Sequence, residues 1–370
     1  MQFNLGEYKT SVYIRHEIPI LPEISNALGL SAVSFKPLII ADENTSPIAA
    51  KICGGYDLPQ CVLKSGEDQK NWQSVQQILE AAHNAGLGRD GIFLAVGGGV
   101  IGDLAGFAAS IYMRGCRFIL VSTTLLGMVD ASIGGKTGFD LFERKNLIGT
   151  FYPAEAVYMP AETLSSLPHR ELKSGMSELI KTAVLSGDDF LNDLEASAAK
   201  LTDFRFEAGG AGSCGLWSKM IERAVQYKGG IVSEDLRESE NGKRRLLNLG
   251  HTFAHALEST AGLGKLSHGE AVAWGMVQAC ELGIALGITP SLRAQRIINL
   301  IKSFGYECAN PHPAADNIDT SVFLNALKSD KKKREGKLTF IVPDGVSAAA
   351  VALESENDIQ FLNNLIKGGN

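Results

Sequence analysis

The sequence predicts an α/β domain with a largely parallel sheet followed by a mainly helical domain, and three observations carry that reading. Through about residue 165, short apolar runs alternate with longer amphipathic ones, the pattern of strands joined by crossover helices. After Leu167-Pro168 the texture changes to long helical stretches. At 370 residues the chain also exceeds what one ordinary core accommodates. The boundary is therefore placed at residue 168, dividing the chain into 1–168 and 169–370.

The expected strands of the first domain are Ser11 to Ile14, Pro37 to Ala41, Gln60 to Leu63, Ile92 to Val96 and Phe118 to Val121. Between them, Asn71 to Ala85 carries helical periodicity through Val75, Ile78, Leu79 and Ala82 and stops towards Gly86. The helical stretches of the second domain are Glu171 to Leu185, Leu216 to Tyr227, Leu246 to Ala261, His268 to Leu286 and Pro290 to Phe304. Gly209 to Gly215 is weakly patterned and reads as a loop.

Composition excludes several function classes. A net charge of −6 gives no basic face for a phosphate backbone, so nucleic acid is not the expected partner. The N-terminus lacks a basic segment followed by an apolar one, and no apolar run approaches the ~20 residues of a membrane span. The six cysteines form no CxxC pair and read as reduced thiols of a cytoplasmic protein.

Two regions carry chemistry. The strand Ile92 to Val96 runs into Gly97-Gly98-Gly99-Val100-Ile101-Gly102-Asp103 and a helix from Leu104 to Tyr112, so that backbone N–H groups at a helix start can meet a pyrophosphate. The letters satisfy G-x-G-x-x-G, but the turn does not open the first βαβ unit, which makes it a weak signal alone. Asp42, ending an earlier strand, reads as a turn or cap residue or as a ribose ligand.

In the second region His251, His255 and His268 fall close together, and neutral imidazoles with a carboxylate suit a borderline cation such as zinc. If Lys243 to Glu258 is one helix, Arg244, Asn248, His251 and His255 share a face. The carboxylate is expected from Glu178, with Lys181 one turn later; the pair reads equally as a surface i,i+3 ion pair.

Taken together, the motifs resemble the 3-dehydroquinate synthase family of sugar-phosphate cyclases. The resemblance runs from about Asp42 to Asp330-Lys331-Lys332 and is carried by GGGVIGDLAGFAAS (97 to 110), TTLLGMVDASIGGKTG (123 to 138), KNLIG (145 to 149), LPHRELKSGMSELIK (167 to 181), RLLNLGHTFAHALE (245 to 258) and HGEAVAWGM (268 to 276). It implies a Rossmann-like NAD-binding α/β domain over 1–168, a mainly α-helical metal-binding domain over 169–370, and a homodimer.

The resemblance also implies a site, residue by residue. Metal ligands would be Glu178, His251 and His268, holding Zn2+ or Co2+. NAD would lie along Asp42, Asn44, Glu67, Lys70, Gly98, Gly99, Val100, Asp103, Thr123 and Thr124, with Lys136 and Lys145 touching both ligands. A small phosphorylated sugar acid would meet Asp130, Lys136, Asn146, Lys181, Lys228, Arg244, Asn248 and His255, with Lys331 from the C-terminal part and Arg114 from a dimer partner. The implied reaction turns 3-deoxy-arabino-heptulosonate 7-phosphate into 3-dehydroquinate, a shikimate-pathway step, by transient oxidation, phosphate elimination, reduction and aldol closure.

Ser122 stands where proline commonly precedes the Thr-Thr pair, Gly127-Met128 where Ala-Gln is common, and Arg144 where glycine usually precedes Lys-Asn. The stretch between Lys228 and Arg244 is about two residues longer than usual. These departures leave open a cyclase acting on sedoheptulose 7-phosphate or glucose 6-phosphate. More distant alternatives are a metal-dependent polyol dehydrogenase and an inactive NAD-binding regulator.

Overall fold

The computed structural model describes residues 1–31, 35–142, 144–202, 211–240, 242–262, 265–315, 320–331, 338–353 and 362, without the side chains of 211–213 and 328–331. These form two compact units, Met1–Leu172 with Arg205–Arg237, and Lys173–Phe204 with Glu238–Asn370. The division falls four residues past the expected boundary, and the segment Arg205–Arg237 groups with the first unit although its helical texture assigned it to the second.

The first unit contains β1 (Gln2–Leu5), β2 (Tyr8–Arg15), α1 (Leu21–Ala27), β3 (Leu38–Asp42), α2 (Ser46–Cys53), β4 (Gln60–Leu63), α3 (Trp72–Asn84), β5 (Ile92–Gly97), α4 (Gly99–Ile111), β6 (Arg117–Ser122), β7 (Lys136–Leu141), β8 (Arg144–Phe151) and β9 (Ala156–Pro160). Seven strands form one sheet in the order β1-β2-β9-β6-β5-β3-β4, all parallel except the β1–β2 hairpin. A strand covered on both faces reads as an unbroken apolar run. Every residue of central β5 is buried accordingly, and Leu94 and Val96 join Ile39, Ala41, Ile119 and Val121 in one core cluster.

The chain leaves β3 outward to β4, then returns to β5 and proceeds the other way to β6. The carboxyl ends of β3 and β5 therefore flank the crevice where a doubly wound sheet takes ligands. Asp42 ends β3, and the glycine turn ends β5 with Val96 in register with Ala41. The helix after that turn begins at Gly99, not at the expected Leu104, because the glycines continue into the first helical turn.

The second unit is mainly helical. It comprises all of α5 (His169–Ser186) beyond Leu172, with α6 (Asp188–Thr202), α8 (His251–Ala261), α9 (His268–Ala285), α10 (Ser291–Ser303), α11 (Thr320–Lys331) and the hairpin β10 (Leu338–Pro343) to β11 (Ala348–Leu353). The intervening α7 (Ala211–Glu234) belongs to the first unit. It includes 211–215 of the expected loop, while 209 and 210 lie outside the described residues. The single helix expected over Lys243 to Glu258 is broken: Lys243–Asn248 is a 3-10 segment, and α8 starts anew after Gly250 in the left-handed region at φ 80°.

Close backbone contact explains that break. A Cβ on Gly250 would stand 2.8 Å from the Met276 amide nitrogen of α9, and one on Gly275 would stand 2.1 Å from the Gly250 carbonyl oxygen. A Cβ on Gly269, at the start of α9, would meet Ser174 of α5 at 2.4 Å. Neither helix can yield without moving its main chain. Gly275→Ala should therefore destabilise the protein by about 3 kcal/mol, the upper range for an overpacked core. Denaturant unfolding at constant m would measure this, and an unchanged midpoint would mean the helices are not held this closely.

Candidate active site

At the switch point of the sheet, several expected nucleotide residues come together in the first unit. Gly98 caps α4 in extended conformation and Gly99 opens it, leaving the first N–H groups of the helix towards the crevice. A Cβ on Gly98 would strike the Thr124 side chain at 2.7 Å. Thr123 follows β6, its amide donating to the Gly97 carbonyl at 3.0 Å. The hydroxyls of Ser122 and Thr123 are buried and bond to no described protein group. Buried hydroxyls ordinarily find partners, so a ligand with polar oxygens fits here.

Asp42 acts locally as a turn residue. Its Oδ1 accepts from the Asn44 amide, the Thr45 amide and the Thr45 hydroxyl, each at 2.9 Å. Val100 is half-buried in α4, and Asp103 lies one turn further along. Asp103 Oδ2 meets the buried Lys70 Nζ at 2.6 Å, and the same ammonium donates to Asn146 Oδ1 at 2.5 Å. Burial would lower the Lys70 pKa, but the carboxylates of Asp103, Glu67 and Asp140 more than offset it and hold the group charged. Asn146 sits at φ 53° in the β7–β8 hairpin, its amide donating to Asp140 Oδ1 at 2.6 Å.

Asp130 lies in a single π-type turn, Gly127–Ala131, where Lys228 of α7 donates to its carbonyl at 2.7 Å and its Oδ1 at 2.6 Å. Lys136 and Lys145 are exposed, on the first strand and second strand of the hairpin. Arg114 is exposed on the turn after α4 at φ 71°.

The second unit gathers the metal-type residues. Ser174 through Leu185 of α5 are all buried, and they include Glu178 and Lys181, which form a direct ion pair. The surface i,i+3 reading of that pair is thereby overturned, since both side chains are at most 2% exposed. Glu178, His251 and His268 each offer one ligand atom, all within 4.8 Å of one another. Glu178 Oε1 is 3.6 Å from Nε2 of each histidine. A tetrahedral ion about 2.1 Å from its ligands holds them about 3.4 Å apart, so the donor set fits a zinc-sized cation.

Each ring is also held from behind. His251 Nδ1 lies 3.2 Å from the Leu249 carbonyl oxygen, and His268 Nδ1 lies 3.6 Å from Glu258 Oε1. Such partners turn Nε2 towards an ion. Without an ion the two titrate in opposite directions. Burial and the Lys181 ammonium push His251 down to about 3, whereas at His268 burial is outweighed by the Glu178 and Glu258 carboxylates, which raise it to about 10.

The third ring, His255, lies 5.6 Å from His251 and 6.5 Å from His268 between centroids, so α8 still presents both of its histidines to one place despite the break before it. Arg244 is buried in the 3-10 segment. Asn248 Nδ2 donates to Glu238 Oε1 at 2.8 Å. The Lys331 side chain lies outside the described residues. Sequence reading missed Glu238 and Glu258; for Glu258 the signal was present, one turn beyond His255 on the same helix.

A parallel switch-point sheet and a Glu-His-His set in a helical unit fit the class of sugar-phosphate cyclases, and solved structures of that class match over the whole chain. 2-epi-5-epi-valiolone synthase from Streptomyces hygroscopicus subsp. jinggangensis 5008, with NAD+ and Zn2+ bound, superposes with TM-score 0.83 at 28% identity over 99% of both chains. 2-Deoxy-scyllo-inosose synthase, complexed with carbaglucose-6-phosphate, NAD+ and Co2+, gives 0.79 at 25% identity over 100% of this chain and 99% of that one. Within the class, the models for the 3-dehydroquinate synthase N-terminal and C-terminal regions match residues 60–174 and 175–333. The 3-dehydroquinate synthase of Colwellia psychrerythraea (strain 34H / ATCC BAA-681) is 38% identical over 95% of this chain and 96% of its own. The chain belongs to the 3-dehydroquinate synthase family.

The carboxylate behind His268 gives a direct test of the metal-type set. Glu258→Gln should weaken Co2+ binding about 10- to 100-fold, as loss of such outer partners does, without a comparable loss of fold. Titration of metal-free protein followed by visible absorbance, with circular dichroism alongside, reads both; unaltered affinity would show that Glu258 does not orient the ring.

Proposed function

We propose that the chain converts 3-deoxy-arabino-heptulosonate 7-phosphate into 3-dehydroquinate and phosphate, with NAD recycled in each turnover and Zn2+ or Co2+ held by Glu178, His251 and His268. The observation that carries this reading is the convergence of those three ligand atoms in a chain whose two halves both match the family. When bound, NAD takes up and returns a hydride while the ion polarises the substrate oxygen at that carbon.

The remaining work falls to the chain. Asp42, Asn44, Glu67, Lys70, Gly98, Gly99, Val100, Asp103, Thr123 and Thr124 line the nucleotide, with the helix N–H groups of Gly98 and Gly99 turned to its pyrophosphate. Lys136, Lys145, Lys181, Lys228, Arg244, Arg114 and Lys331 supply the cations that a carboxylate and a phosphate require, so positioning and electrostatics carry much of the rate. Asn146 and Asn248 orient substrate hydroxyls from fixed rotamers, secured by Lys70 and Glu238. Asp130 fixes the Lys228 ammonium. His255 holds or moves a proton at the substrate oxygen, which an imidazole can do on either side of neutrality. The reading includes a cytoplasmic homodimer in which Arg114 serves the partner subunit.

Purified protein supplied with the heptulosonate phosphate, NAD and Zn2+ or Co2+ should release one phosphate per substrate with no net rise in NADH absorbance. Steady accumulation of NADH would point to a polyol dehydrogenase instead. Phosphate release from glucose 6-phosphate or dependence on sedoheptulose 7-phosphate, with the heptulosonate inert, would reassign the chain to another cyclase.

A further inference from the structure

Ser122 is the last residue of β6 and pairs in register with Gly97, so it stands one strand from the glycine turn. The residue is 1% exposed, and its hydroxyl bonds to no described protein group. It shares a cavity with Gly98, Gly99, Gly127 and Lys136. A hydroxyl needed only to fill space there could be an apolar group of the same size, and burying it without a partner would be a net cost. The neighbouring turn is shaped around it. A Cβ on Gly127 would lie 2.4 Å from Ser122 Oγ but 3.8 Å from Ser122 Cβ, so the hydroxyl itself, more than the rest of the residue, excludes a side chain at 127. The same Cβ would lie 3.0 Å from Thr124 Oγ1, which accepts from the Gly127 amide.

A donor in a cavity lined also by the start of α4 and by a lysine complements an anion. We infer that Ser122 is a nucleotide-binding residue whose hydroxyl donates to the pyrophosphate segment of bound NAD, and that residue 127 is glycine to leave that hydroxyl its position. The inference rests on the nucleotide reading above and adds to it a contact made by this chain's own serine.

Calorimetric titration of nucleotide-free protein with NAD+ and with ADP-ribose, paired with thermal unfolding, separates the possible outcomes. Ser122→Ala should bind both about tenfold more weakly, the size expected for losing a hydrogen bond to a charged group, with Tm unchanged or raised. Gly127→Ala should weaken binding and lower Tm. The double variant should lose less affinity than the two single losses combined, since only Thr124 Oγ1 then crowds position 127. Affinity within about twofold of wild type in Ser122→Ala would overturn the inference, as would additive losses in the double variant. A fall in Tm with intact binding would overturn it too, by showing that the hydroxyl serves the fold. Wild-type protein that binds neither ligand would overturn the nucleotide reading together with this one.

Discussion

The metal-type set depends on main chain meeting main chain. Glu178, His251 and His268 come from α5, α8 and α9, and these helices approach through Gly250, Gly269 and Gly275, where a single added carbon would lie 2.1 to 2.8 Å from backbone atoms. Side-chain packing alone would keep helix axes about 8–10 Å apart with slack in every rotamer. Glycine contact removes that slack, and the ligand atoms inherit the resulting precision. The same closeness accounts for the charges inside α5. A carboxylate and an ammonium on a helix buried all round cost several kcal/mol each unless neutralised. Here they face one another and two imidazoles.

In the first unit the constraint is topological. The order in which strands are added changes sense between the adjacent parallel strands β3 and β5, which puts a crevice beyond their carboxyl ends, where Asp42 and the glycine turn end their strands. A buried lysine then ties three distant stretches together: Lys70 holds Asp103 of α4 and Asn146 of the hairpin with one ammonium. Of the residues expected at the nucleotide, Lys70 thus has an evident structural task as well, fixing a hairpin whose Asn146 adopts a left-handed backbone.

Much of this was legible in the sequence where burial leaves a simple trace. Of the expected strands, β3, β5 and β6 are apolar runs buried along nearly their whole length, β4 shows the alternation of an edge strand, α3 and α10 show the apolar periodicity that burial on one face produces, and α9 is apolar almost all round. The hairpin strands β1, β7, β8, β10 and β11 were not read, because burial along most of them is patchy, and the short buried β9, which ends at Pro160, was not read either. The helix through 243–258 looked continuous because local periodicity cannot report that Gly250 must admit the backbone of α9. Texture likewise placed Arg205–Arg237 with the second domain, whereas its contacts group it with the first unit. At the site, residue types with strong ligand chemistry were visible, whereas Glu238 was not, since a surface-type carboxylate acquires its role only from what stands beside it.

The glycine contacts also bear on how this protein can change over evolutionary time. A crowded side chain can be accommodated by trimming its neighbour, but positions 269 and 275 abut carbonyl and Cα atoms that every residue type carries. No second substitution restores the space. Drift at these two silent positions is therefore closed more firmly than at many residues that touch a ligand, and their invariance in any set of descendants would record geometry with no chemistry of their own.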